Sequence, residues 1–416
     1  MERVILHSDA NCFYASVEML YHPEYAGKPL AVGGDPEARH GIVLTANYIA
    51  KRSGVKTGMA LWQAKQVCPD LIFVPPRMDL YLKFSSMLRE IYSEYTNQVE
   101  PYGCDEAWLD VTDSSSLKGD GRKIAEEINR RVKKELGITV SIGISWNKIF
   151  AKLGSDYKKP DGITEFNRTN YRELIWKLPV SDLLYVGRST NRTLQKYGIR
   201  TIGELARTDP SFLERQLGKM GLVIYSFANG WDDSPVSAEG YQAPIKSIGN
   251  STTTPRDLEN DQDVQIILMA LAESVAARLR KHGFKCNVVS ISIRDNGLFH
   301  FSRQRKLQEP TDITDEIMSA AYQLFRENYH WPRPIRSLGV RADDLVMGQV
   351  PVQLDLFMNE QRREKQEKLD RAVDDIRRRF GYHSVQRAFM YQDKILSSLD
   401  AQGSHTVHPV GYFNGR

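Results

Sequence analysis

The chain has 416 residues, 41% hydrophobic and 26% charged, with a formal net charge of +4. That length supports several domains with cores of their own, and the composition excludes a disordered or membrane-embedded class. The slight excess of Lys and Arg is compatible with a polyanionic ligand without demanding one. No apolar run approaches the roughly 20 residues that a membrane helix needs. Cys12, Cys68, Cys104 and Cys286 are far apart with no C-x-x-C pair, so neither a disulfide framework nor a zinc site is indicated. The N-terminus runs straight into a short apolar stretch ending in an acid, which is not a signal peptide. A soluble, cytoplasmic chain is the expectation.

In chain order, residues 4–8 read as a buried strand ending at Asp9, and 13–20 as a helix. Short strands at 30–33 and 42–45 are followed by short helices at 47–53 and 61–67. After Pro75-Pro76, Leu80, Phe84, Met87, Leu88 and Ile91 recur at helical spacing. Residues 98–102 and 107–112 form a hairpin around the adjacent acids Asp105 and Glu106. A helix at 121–136 and a strand at 139–145 follow. With residues 20–77 set aside, the order is β-α-β-β-α-β, the ferredoxin-like arrangement. In that topology the third strand lies between the first and second and runs antiparallel to the first. Asp9 therefore meets Asp105 and Glu106 at one edge of a sheet, although each acid alone reads as solvated surface.

Three packed carboxylates repel unless cations neutralise them, and oxygen-only ligands suit hard ions. Two such ions are a device for in-line displacement at phosphorus. Basic residues that suit a polyanionic substrate occur nearby. Thr45 to Arg52 opens a helix, whose free N–H groups favour phosphate, and Lys158-Lys159-Pro160-Asp161-Gly162 follows the last helix of the domain.

The motifs D-x-x-x-F-Y-A-S-V-E (from Asp9), T-A-N-Y (from Thr45), D-E-A-W-L-D (from Asp105), S-x-G-I-S-x-N-K-x-x-A-K (from Ser141) and K-P-D-G (from Lys159) stand in order. Together they resemble the Y-family DNA polymerases, closest to the polymerase IV branch, over residues 1–345. The resemblance implies an α+β, multidomain right-hand fold. Its parts are a ferredoxin-like palm (1–20 and 76–166), small fingers (21–75) and a helical thumb with a helix-hairpin-helix (167–232). A linker (233–245), a second βαββαβ little finger (246–345) and a C-terminal tail (346–416) follow. It also implies roles for single residues. Asp9, Asp105, Glu106 and the Ala10 carbonyl would hold two Mg²⁺ ions, which Mn²⁺ can replace. Tyr14 stands at the steric gate against a ribose hydroxyl. Tyr48 and Lys159 would contact the triphosphate of a deoxynucleotide, together with either Lys51 or Arg52. The family has Arg at the next triphosphate position, and lysine there keeps the charge but loses the bidentate fork.

Residues 178–208 read as the helix-hairpin-helix, with Gly187 offering backbone N–H groups to a DNA phosphate. Tyr185 stands where the family has the first glycine of its turn. Residues 246–341 repeat β-α-β-β-α-β without an acid cluster, and Arg294, Arg303, Arg305 and Arg341 would grip primer–template phosphates independently of sequence. Gln353, Leu354, Leu356 and Phe357 resemble the peptide that binds a bacterial sliding clamp. Residues 359–379 read as a very charged helix, and the stretch from Gln402 as disordered. The reading is a low-fidelity, translesion DNA polymerase without proofreading, acting as a monomer away from membranes. Two rivals stay open: another palm-type phosphoryl transferase such as a nucleotide cyclase, and a non-catalytic accessory subunit.

Overall fold

The structure is a computed structural model in which residues 2–34, 41–241, 244–348, 360–399 and 401 are described. The peptide Gln353–Phe357 and the stretch from Gln402 lie outside the described residues. The chain divides into two compact units, one comprising mainly residues 1–34 and 42–243 and the other mainly 244–407.

The first unit begins with β1 (Ile5–Ala10) and α1 (Phe13–Tyr21). The inserted segment contributes β2 (Leu30–Gly33), β3 (Val43–Ala46), α2 (Tyr48–Arg52), α3 (Leu61–Val67) and β4 (Ile72–Val74). The chain then returns through α4 (Met78–Ser93), β5 (Val99–Tyr102), β6 (Glu106–Asp110), α5 (Ser115–Lys118), α6 (Gly121–Leu136), β7 (Val140–Ser145), α7 (Lys148–Tyr157) and β8 (Ile163–Glu165). Five strands form one sheet in the order β5-β6-β1-β7-β8. As the topology predicts, β6 lies between β1 and β5 and pairs antiparallel with β1. The fifth strand, β8, pairs parallel with β7 and adds to the expected four. The inserted segment has its own sheet, β3-β2-β4, in which β2 and β4 run parallel. β4 is a three-residue strand, too short to carry an alternating pattern.

Local chemistry fixes the ends of these elements. Asp120 and Asn147 cap α6 and α7 by accepting from Lys123 N and Phe150 N, and Gly137 closes α6 in the left-handed region. Helix α7 lies directly on β7 because Gly143 has no Cβ: one built there would fall 1.8 Å from the Ala151 carbonyl oxygen. That close approach lays α7, with Lys152, over the sheet that carries the acids.

After β8 come the helices α8 (Tyr171–Leu174), α9 (Arg188–Lys196), α10 (Ile202–Arg207), α11 (Pro210–Leu217) and α12 (Lys219–Ala228). Thr201 and Glu204 form a capping box at α10. Tyr185 takes φ 69°, the left-handed conformation that glycine adopts freely.

The second unit runs β9 (Ser247–Leu258), α13 (Asp261–His282), β10 (Phe284–Asp295), β11 (His300–Thr311), α14 (Thr314–Asn328) and β12 (Ile335–Met347). Its element order repeats that of the palm, but its strand order is β11-β10-β12-β9, with β12 and not β11 filling the gap between the first two strands. Its core packs the buried face of the sheet against α13 and α14.

Helix α15 (Glu360–Phe380) belongs to this unit and is bolted to it by charge. Arg363, Asp370 and Arg377 recur every seven residues on its buried face, at 8%, 6% and 6% exposure. Arg280 pairs with Asp370 at 3.1 Å and with Asp374 at 2.6 Å, while Arg377 pairs with Glu273 at 3.0 Å. Leu369, Ile376 and Phe380 are left facing solvent. Short α16 (Lys394–Ser397) completes the unit. No helix among the described residues is long and apolar enough to cross a membrane.

Candidate active site

The three acids meet as the strand order requires. Asp9 is the register partner of Glu106, and the Ala10 N–H donates to the Asp105 carbonyl at 3.0 Å. Gly103, at φ 79°, turns the chain between β5 and β6 and leaves Asp105 at the strand entrance. Burial, with Asp9 and Glu106 beside it, pushes the Asp105 carboxyl up to about 7. Burial and Glu106 likewise raise Asp9, against the opposing pull of Lys159. Burial also works upward on Glu106, but hydrogen bonding and charge from His7 and Lys152 prevail and hold it well below the usual range.

Each of two acids already has a cationic partner. Lys159 Nζ donates to Asp9 Oδ2 at 2.7 Å and pairs with Asp156 at 2.7 Å. Lys152 Nζ donates to Glu106 Oε2, on which His7 Nε2 also closes at 3.1 Å. His7 is fully buried, and burial, reinforced by Lys152, lowers it to about 4, so it is neutral near pH 7. Among the described residues no three carboxylate, imidazole or thiol side chains converge as metal ligands as they stand. Asp9 and Glu106 are each engaged by a different lysine. The donor set is nonetheless oxygen-rich, mutually repulsive and compensated by positive charge, which is the chemistry of a hard-cation site.

The loop bearing Lys159 is fixed from behind. Asn129 Nδ2 donates to Asp161 Oδ1 at 2.9 Å and Lys133 pairs with Asp161 at 2.6 Å, holding that residue at φ 61°. Tyr48 reaches the same region from α2, where Asn47 caps the helix and also ties it to Lys28 and Leu30. The Tyr48 hydroxyl donates to Asn11 Oδ1 at 3.0 Å, which also accepts from Ser141 Oγ at 2.9 Å. Lys51 lies over the Tyr48 ring with Nζ 5.1 Å from its centroid, whereas Arg52 folds back to donate to the Tyr48 carbonyl at 3.3 Å. Tyr14, half-buried on α1, stacks on Tyr81 with ring centroids 4.2 Å apart and an interplanar angle of 12°.

Sequence reasoning assigned no role to three residues that shape this site. Lys152 stood in a quoted motif, and its helical position after Gly143 was the available signal. His7 reads as one more residue of a buried strand. Asn11, at 2% exposure, is a polar hub whose partners Tyr48, Thr139 and Ser141 come from two distant segments, so no local pattern announces it.

Of the expected DNA contacts, Gly187 is exposed at the start of α9, and a Cβ there would touch nothing within 4 Å. The four arginines of the second unit divide. Arg294 and Arg341 are exposed and alternate with Ile291, Ile293, Val340 and Ala342, which point into the core. Arg303 and Arg305 lie instead on the helix-covered side, where Arg303 donates to Asn328 at 3.2 Å and Arg305 to Gln323 and Glu327 of α14.

Residues 8–156 match the impB/mucB/samB family, and residues 245–356 match its C-terminal domain. The chain is 52% identical over 399 residues to the DNA polymerase IV of Acetivibrio thermocellus, covering 96% of this chain and all of that one. It is 39% identical over 388 residues to DNA polymerase IV 1 of Bacillus subtilis, covering 92% of each. Among solved structures it resembles a Y-family DNA polymerase chimera, Dbh-Dpo4(243-245)-Dbh, at TM-score 0.72 and 25% identity, over 83% of this chain and all of the chimera. The chain belongs to the Y family of DNA polymerases, in its polymerase IV branch.

Proposed function

We propose that this chain is a translesion DNA polymerase, extending a primer on a DNA template with Asp9, Asp105 and Glu106 as its catalytic carboxylates. The observation that carries the reading is the pairing of Asp9 with Glu106 beside Asp105 at the edge of the palm sheet. These three side chains and the Ala10 carbonyl would hold two Mg²⁺ ions. Bound there, divalent ions would supply Lewis acidity for the attacking primer hydroxyl and for the charge on the departing pyrophosphate. The protein's own part is positioning and electrostatic preorganisation.

Lys159 and Lys152 offset the charge of the acid cluster through Asp9 and Glu106. Lys159, Tyr48 and Lys51 would line the triphosphate. The side-chain directions favour Lys51 over Arg52, since only Lys51 lies across the Tyr48 ring. Tyr14 would meet the sugar at C2′, where a flat ring excludes a hydroxyl.

The start of α9 at Gly187 and the exposed sheet side bearing Arg294 and Arg341 would hold the DNA backbone without reading its sequence. Arg303 and Arg305 would reach DNA only by releasing their partners on α14. A sliding clamp would bind at residues 353–357, with the polymerase acting as a monomer. Primer extension with Mg²⁺ tests the reading. The intact chain should extend a primer, and joint replacement of Asp105 and Glu106 by Ala should abolish synthesis while sparing DNA binding. Undiminished synthesis by that variant would mean that the acids are misassigned.

A further inference from the structure

Glu18 is a carboxylate buried to 2% exposure on an otherwise apolar face of α1. Burying a charge costs several kcal/mol unless it is paired and hydrogen-bonded, and here both conditions are met by one closed set of partners. Arg77 donates through Nε to Oε1 at 3.0 Å and through Nη2 to Oε2 at 2.5 Å. The Tyr81 hydroxyl donates to Oε1 at 2.6 Å. Tyr81 is fully buried, and its ring is the one on which Tyr14 stacks.

Two consequences follow from where these residues stand. Glu18 lies four residues after Tyr14 on the same helix, so it anchors the far side of the stack from the gate's own element. Arg77 immediately precedes α4, where the chain re-enters the palm, and its guanidinium lies over the ring of Tyr21, the last residue of α1, at 5.3 Å. The whole inserted segment leaves after Tyr21 and returns at Arg77. One carboxylate thus pins both the base of the fingers and the ring that backs the sugar gate.

We propose that Glu18, acting through Arg77 and Tyr81, is a positioning residue for discrimination between deoxyribose and ribose. The proposal rests on the reading of Tyr14 as the gate. A steric gate works by repulsion, which rises steeply over tenths of an ångström, so the ring must be held from behind. A neutral amide at position 18 loses the charge-assisted fork with Arg77, and loss of the Tyr81 hydroxyl frees the backing ring to slide.

The test compares kcat/KM for a deoxynucleotide and its ribonucleotide counterpart in the wild type, Glu18→Gln, Tyr81→Phe, Tyr14→Ala and the double variant Tyr14→Ala/Tyr81→Phe. Glu18→Gln and Tyr81→Phe should each lower the deoxy-to-ribo ratio by about tenfold, the factor set by one charge-assisted hydrogen bond. Their deoxynucleotide efficiency should change far less, whereas simple unfolding would lower both substrates together. In the double variant Tyr81→Phe should add nothing to the effect of Tyr14→Ala. The proposal is overturned if Tyr14→Ala collapses the ratio while Glu18→Gln and Tyr81→Phe leave it at the wild-type value. A ratio untouched by Tyr14→Ala would instead remove the gate reading itself. Should Glu18→Gln fail to fold, Tyr81→Phe, which removes a single oxygen, decides the matter.

Discussion

Asp9 and Glu106 face each other across the β1–β6 ladder, yet each carboxylate is bound by a different lysine: Asp9 by Lys159 and Glu106 by Lys152. The backbone brings the acids together, and each lysine offsets the charge of one of them. Repulsion between like charges that the fold keeps adjacent is the force a metal ion would relieve.

Added Mg²⁺ should therefore raise the melting temperature of the intact chain. At ten times its Kd, a ligand specific to the folded state contributes about 1.4 kcal/mol. A thermal melt with and without Mg²⁺ measures this, beside a variant with Asp105 and Glu106 replaced by Ala. An equal rise in that variant would place the stabilising ions elsewhere.

Lys51 and Arg52 are neighbours with different orientations, and steady-state kinetics can separate them. Lys51→Ala should raise KM for the incoming nucleotide about tenfold, the loss expected of one ammonium–phosphate contact. Arg52→Ala should change KM little, because its guanidinium is turned onto its own helix. The reverse ranking would assign the contact to Arg52.

The C-terminal helix should matter to the stability of the second unit. Asp370 accepts from the Thr314 N–H at 2.8 Å and pairs with Arg280, itself 9% exposed at the side chain. Removing Asp370 takes one carboxylate from Arg280, which keeps Asp374, and takes the acceptor from the buried Thr314 N–H, at a cost of roughly 1–3 kcal/mol. Asp370→Ala should show that loss in urea unfolding, and Lys368→Ala, which removes an exposed partner of Glu364, should show almost none. Equal small effects would mean that α15 is only loosely held.

Much of the palm was legible in the sequence because its signals are local. Apolar runs mark strands, 3.6-residue spacing marks α4 and α6, and the β-α-β-β-α-β order, once taken as the ferredoxin-like arrangement, brings Asp9 to Glu106. The second unit shows the limit of such reasoning. Its elements come in the same order, but which strand fills the gap depends on long-range pairing that periodicity does not encode. Helix α15 was legible as a helix and not as a docked one, since its buried face is ionic and its apolar residues point outward. Reading burial from hydrophobicity inverts that face. The lysine partners of the acids and the Asn11 hub were hidden for a similar reason: each joins segments distant in the chain, 150 residues apart for Lys159 and Asp9, 130 for Ser141 and Asn11, and 46 for Lys152 and Glu106.

Deletion of Gln353 to Phe357 should weaken clamp-stimulated synthesis and leave synthesis without clamp intact. Primer extension with and without a bacterial sliding clamp measures both. An equal loss in the two assays would give the peptide a folding role instead.

The most direct measurement is anomalous scattering from crystals grown with primer–template DNA, an incoming nucleotide and Mn²⁺. The account predicts two peaks within a coordination distance of about 2 Å from oxygens of Asp9, Asp105 and Glu106, with Lys152 and Lys159 moved off the carboxylates. Peaks away from these residues, with both lysines still seated on Glu106 and Asp9, would contradict it.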